Sequence, residues 1–378
     1  MSTVTAQRPP AVRRPARGSG LARAPFLALG GFALLVGLDA ALMLLGVLAP
    51  VDAARLPEVH GMVMVLGFVG TLVSLERAVA LRHRAGFAAP GLLGLGTVLL
   101  ISPAPEPVGK LALLLGSAAF AGVYVPLWRR QRDDAVLIEA FGAVLATGAA
   151  ALWLGGVDIP LLLPWLMGFV VLTIAGERLE LARIAMGSAA GTKLLLLTAG
   201  LVIAITATLL WPAVGYPLLG LTLLVLVGWL VAHDIARKTI SAKGLTRFMA
   251  GCMLAGYFWL AVAGTIWLIG GPAIADGPRY DAVVHAVFLG FTISMIIAHA
   301  PVILPAVLRR PLPYHPAMLA TIVLLHLSLA LRIWIGDARA VHLAWQVGGV
   351  LNEVALLGFV GVAAWSSMRA RRTSGGSR

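Results

Sequence analysis

Two stretches of this sequence set a glutamate and an arginine side by side inside an apolar run. They are GFVGTLVSLERAV (Gly67 to Val79) and GFVVLTIAGER (Gly168 to Arg178). In both, the glutamate stands nine residues after a Gly-Phe pair, as Glu76 and as Glu177. A third copy, GFTISMIIAHAP from Gly290, puts His299 at the same nine-residue offset. On a helix, equal offsets mean equal rise and equal facing, so the three groups are expected at one depth and on one face. Two carboxylates and an imidazole so placed are the residue types that hold a metal ion or pass protons. Two plainer readings stand beside this one. Arg77 and Arg178 could neutralise their neighbouring glutamates while snorkelling to the headgroups, and the glycines could be packing residues at helix crossings.

The histidines give a second set of candidates. Of the eight, His83, His233 and His315 fall at span ends or in loops, and His326 lies mid-span. His60, His285 and His342 stand near the start of their apolar runs, at the same end of the molecule. His299 follows His285 by 14 residues, which at 1.5 Å per residue separates them by about 21 Å, too far to share one small centre. A neutral imidazole in lipid is costly unless partnered, so each is a site candidate as well as a hydrogen-bonded packing residue. Two imidazoles at matched depth on different helices are suited to bind a haem iron from opposite sides.

These residues require a scaffold that buries them. The chain has 378 residues, is 60% hydrophobic and only 12% charged, and has a mean hydropathy of +0.95, which makes it a polytopic membrane protein rather than a soluble domain. With about 20 residues needed per crossing, the apolar runs divide into twelve segments. The fold expected is all-α, with about 12 transmembrane helices arranged as three four-helix units, because the Gly-Phe copies fall in the second, sixth and tenth segments. The units run approximately 26–128, 134–234 and 245–368, inside a single transmembrane domain of 26–368. Residues 1–25 read as a disordered basic arm and 369–378 as a tail. If both termini are cytoplasmic, all of the 29 lysines and arginines except Arg55, Lys110, Arg279, Arg332 and Arg339 fall on the inner side, as the positive-inside rule requires. The location expected is a bacterial-type inner membrane. The net charge of +13 thus reflects topology, and with basic residues confined to short loops nucleic acid is not an expected partner. A single cysteine, Cys252, excludes an internal disulfide and any multi-cysteine metal site.

Twelve helices in three four-helix arcs, with histidines near the outer ends of the second and tenth, resemble subunit I of the haem-copper oxidases. The segments HGMVMVLGFVGTLVSLERAVAL (His60 to Leu81) and HAVFLGFTISMIIAHAPVILPAV (His285 to Val307) are similar to the NnrS family, membrane proteins that contain haem and copper and are linked to nitric oxide metabolism. The resemblance implies a haem b on His60 and His285, with His299 a further candidate ligand, and is compatible with copper. His342, at the same level, is the substitute if one assignment fails, and the common glycine offset makes His299, Glu76 and Glu177 the candidates for copper or another metal. The resemblance also implies a small gas or an electron donor as partner, besides the lipid bilayer and haem, in nitrogen-oxide response or electron transfer. The sixth segment carries Glu177 where the oxidases have a copper-binding histidine, and the seventh has no histidine, which argues against an oxygen-reducing centre of the oxidase kind. Two other classes remain open on the residues alone. One is a secondary transporter working through Asp39, Glu76, Glu177 and Glu353; the other is a membrane scaffold or assembly factor whose histidines only pack.

Overall fold

A computed structural model describes residues 21–51, 53–274 and 276–375; most of the expected N-terminal arm lies outside these. Among the described residues twelve helices are long and apolar enough to cross a membrane. They are α1 (Ala24–Leu44), α2 (Arg55–Leu81), α3 (Arg84–Ile101), α4 (Glu106–Gln131), α5 (Asp134–Leu154) and α6 (Ile159–Arg183). There follow α7 (Ala190–Leu210), α8 (Pro212–His233), α9 (Gly244–Gly270), α10 (Gly277–Leu308), α11 (Ala317–Asp337) and α12 (His342–Ala370). The protein is an all-helical, polytopic membrane protein with no strand among the described residues. The last helix continues to Gly375, so much of the expected tail is helical.

The helices are distributed unevenly between core and periphery. In the most apolar window of each, α6 is 78% buried, α2 72% and α10 67%, against 33% for α7 and 39% for both α1 and α11. The second helix of each four-helix unit is therefore the innermost, as a threefold repeat around a central axis demands. Within the units α1 packs on α2, α5 on α6 and α9 on α10; between them α4 packs on α5, α8 on α9 and α12 on α1. The repeat glycines show why the motif needs a residue without a side chain. A Cβ on Gly67 would collide with Thr97 on α3, one on Gly168 with Leu145 on α5 and Ile205 on α7, and one on Gly290 with Trp259 on α9. Helices in lipid associate through close van der Waals packing, which small residues permit.

Two of the three inner helices share a further distortion. The backbone of α2 widens into π-helical turns over Val63–Gly70, and that of α10 over Ala286–Ile293. Each stretch runs from four residues before the repeat glycine to three after it, whereas α6 stays α-helical there. Such turns are frequent at functional sites.

Candidate functional site

Two cavities follow each other along the core between α1, α2, α6, α10 and α12. The first lies away from the arginine-rich end and has a volume of about 90 Å³; its walls include His60, Met64, Tyr280, His285, Arg332 and Glu353. His60 places Nδ1 2.9 Å from the Gly37 carbonyl of α1, and His285 places Nδ1 2.8 Å from the Asp281 carbonyl one turn earlier. A carbonyl only accepts, so Nδ1 of each ring is the donor and, in the neutral imidazole, Nε2 carries the lone pair. Neither Nε2 has a hydrogen-bond partner among the described residues. This is the way a metal-binding histidine is usually oriented, with its other nitrogen on a backbone carbonyl. Beside the pair, Arg332 donates from Nε and Nη2 to the two Asp281 oxygens at 2.8 and 2.7 Å, and Oε1 of Glu353 is buried without a hydrogen bond. His342, the expected substitute ligand, is exposed at the start of α12, stacks on Trp345 and is not part of this wall.

The second cavity, of about 460 Å³, lies toward the arginine-rich end. Glu76, Glu177 and His299 all line it, so the common offset from glycine brings the three to one place. Their polar atoms are engaged with arginines rather than with each other. Arg77 is buried and lies within 3.2–3.5 Å of Glu76, Glu139, Glu177 and Glu180. Arg178 is buried too, and donates from Nε and Nη2 to the Asp234 carboxylate at 2.8 and 3.0 Å. His299 sits 3.1 Å from Arg178 Nη1 through Nε2, its Nδ1 being 2.7 Å from the Met295 carbonyl. Asp234 also accepts the Tyr257 hydroxyl at 2.8 Å. The snorkelling reading therefore fails for both arginines, which point inward. Among the described residues no three His, Cys, Asp or Glu side chains are grouped so that they could hold a metal ion.

The two arginines make one pattern. Each stands ten residues after its repeat glycine, and each reaches the ninth-position residue of the following unit: Arg77 to Glu177, and Arg178 to His299. In the third unit that tenth position is Ala300.

Several participants escape a reading of spans and histidines. Arg332 falls near the outer end of the eleventh segment and counts only as an outer-side charge, yet it is 6% exposed in α11. Asp281, Asp234, Glu139 and Glu180 were legible only as charged residues close to, or within, apolar runs. His326 accepts a hydrogen bond on Nδ1 from Trp259 Nε1 at 3.0 Å, and its Nε2 is buried without a partner.

No curated protein and no solved structure matches the chain. One family does, over residues 23–368 and so over all twelve helices. The chain belongs to that family, described as Domain of unknown function (DUF8744).

Proposed function

We propose that this is a haem-binding membrane protein of NnrS-like type, in which His60 and His285 hold one haem b between α2 and α10, serving nitrogen-oxide response or electron transfer. The observation that carries this reading is the shared cavity of the two imidazoles, each held through Nδ1 on a backbone carbonyl with Nε2 left over. The donor set fits: two neutral imidazole nitrogens from different helices would be suited to ligate a haem iron. The space is tighter than the donors. At about 90 Å³ the cavity is well below the roughly 300–1,000 Å³ of small-molecule sites, so a porphyrin would fit only if Met64, Phe288 and Leu289 left its walls. Met64 is suited to that, being unbranched and flexible. Haem, when bound, supplies one-electron chemistry; the chain's own part is to present the two Nε2 atoms, keep bulk water out with an apolar wall, and hold Arg332 on Asp281 alongside. The same proposal places the chain in a bacterial-type inner membrane with both termini cytoplasmic, supported by the collection of arginines at one end.

The test is the visible spectrum of protein purified from haem-replete cells. A Soret band is expected, lost or shifted in His60→Ala and in His285→Ala and kept in His83→Ala. Wild-type protein without a Soret band would refute the reading. The competing reading is a secondary transporter, and the observation that favours it is the 460 Å³ cavity with two carboxylates in its wall.

A further inference from the structure

The threefold pattern is broken at one point, and the larger cavity opens there. Arg77 of the first unit reaches Glu177 of the second, and Arg178 of the second reaches His299 of the third. The third unit should send a cation back to Glu76 of the first, but it has Ala300, whose side chain lines the cavity as Glu76 does. What the repeat lacks at this position is one positive charge.

The charges around it agree. Four carboxylates, Glu76, Glu139, Glu177 and Glu180, share the single guanidinium of Arg77, while Arg178 is matched by Asp234. Glu139 is 0% exposed and neither of its oxygens has a hydrogen bond, although it points into this cluster. Glu76 and Glu177 face the open space. Apart from them and His299, the ionisable lining is Arg310, exposed at the arginine-rich mouth. The remainder is largely aliphatic and aromatic, including Leu72, Phe169, Ile296 and Phe359. Carboxylates set in the wall of an otherwise largely apolar chamber suit a ligand with a cationic head and an apolar body.

The cavity runs along the seam between the third and first units. At the far end α12 holds α1 closely, with Gln346 donating to the Leu45 carbonyl at 2.9 Å and Gly349 lying against Leu45. Toward the arginine-rich end the two helices instead form walls of the cavity, Leu27, Gly31 and Leu34 on α1 and Val360, Ala363 and Ala364 on α12. Space is left at Gly31, which lines the cavity and where an added Cβ would meet nothing within 4 Å.

We propose that this cavity binds a membrane-soluble organic amine, whose ammonium group takes the place of the missing third arginine against Glu76 while its apolar body fills the chamber between α1, α6, α10 and α12. Haem at the other cavity is not needed for this, so the two readings fail separately.

The test uses the full-length protein in zwitterionic nanodiscs, with empty nanodiscs subtracted. The probes are a dansyl-labelled long-chain primary alkylamine and its alcohol analogue, in which a hydroxyl replaces the ammonium. Wild-type protein should bind the amine about tenfold or more tighter than the alcohol, a difference of about 1.4 kcal/mol or more. Glu76→Gln should remove that preference, and Ala300→Arg, which restores the repeat, should abolish amine binding. Equal binding of amine and alcohol by the wild type, or an amine affinity unchanged in Glu76→Gln, would overturn the proposal, the first result meaning that protons alone neutralise the cluster. Should Ala300→Arg fail to elute as a folded species, Glu76→Gln decides.

Discussion

Replacing Arg178 with methionine examines the second arginine pair directly. Arg178 and Asp234 are 4% and 3% exposed, and the guanidinium makes two parallel hydrogen bonds to the carboxylate. Removing one member of a buried pair leaves the other charge desolvated, at a cost of about 3–5 kcal/mol. Asp234 keeps the Tyr257 hydroxyl at 2.8 Å and the Ala236 amide at 2.9 Å, so the expected loss lies at the low end, about 3 kcal/mol. His299 loses its partner on Nε2 in the same variant. Adding Asp234→Asn removes the stranded charge, and the double variant should recover about 1–2 kcal/mol relative to Arg178→Met alone, a coupling that a cycle isolates. The chain carries its own reporter. Cys252 is its single cysteine and is 2% exposed in α9, so a thiol-reactive dye responds only as the bundle opens, and heating in its presence gives the transition. A loss below about 1 kcal/mol for Arg178→Met, or strictly additive effects, would refute the argument that the pair is a buried, mutually dependent unit.

Three further outcomes follow from the same geometry. Gly168→Val should destabilise by about 1–3 kcal/mol because its new methyls meet Leu145 and Ile205 in the most buried helix, while Gly361→Ala, with nothing within 4 Å, should leave the thermal transition of Cys252 labelling unchanged. Tyr257→Phe removes a buried hydrogen bond to the Asp234 carboxylate and should cost about 1.5–3 kcal/mol in that assay. At the far end, the Arg279 amide and guanidinium hold the exposed Asp276 carboxylate below its ordinary value. Its cap on the start of α10 is therefore present at neutral pH and lost as pH falls through that lowered value, a titration that carbon NMR of the labelled carboxylate would follow and that Arg279→Ala should move upward.

The sequence carried the scaffold well because membrane spans are read from length and hydropathy, which lipid enforces span by span. The repeat was legible in Gly67, Gly168 and Gly290, and with it the convergence of Glu76, Glu177 and His299. The partners of the arginines were not. Glu139 comes from a different helix and Asp234 from beyond the end of α8, and nothing in linear spacing says that Arg77 reaches across to the second unit. The depth of His60 and His285 was legible to within a turn or two: α2 begins at Arg55 and α10 at Gly277, earlier than hydropathy suggests, because Arg55 is satisfied by the carbonyls of Leu100, Ser102 and Ala104. Likewise Arg332 reads as an outer-side charge at the end of its span until Asp281 is seen opposite it. Polar residues buried by mutual pairing look, in one dimension, like span boundaries.

The cross-unit arginines also bear on the order in which the chain is made. α2 leaves the ribosome before α5 and α6, so Arg77 enters the bilayer ahead of Glu139, Glu177 and Glu180. An arginine deep in a lone helix costs about 2.5–3.5 kcal/mol on insertion scales, and of its four carboxylates only Glu76, its neighbour on the same helix, is at hand to offset it. Arg178 has a shorter wait, since Asp234 closes its own unit, but His299 arrives only with α10. A nascent chain halted after α4 is thus left with a strained intermediate that the next two helices relieve. The first two units are each completed by the one synthesised after them, which makes assembly in the membrane directional.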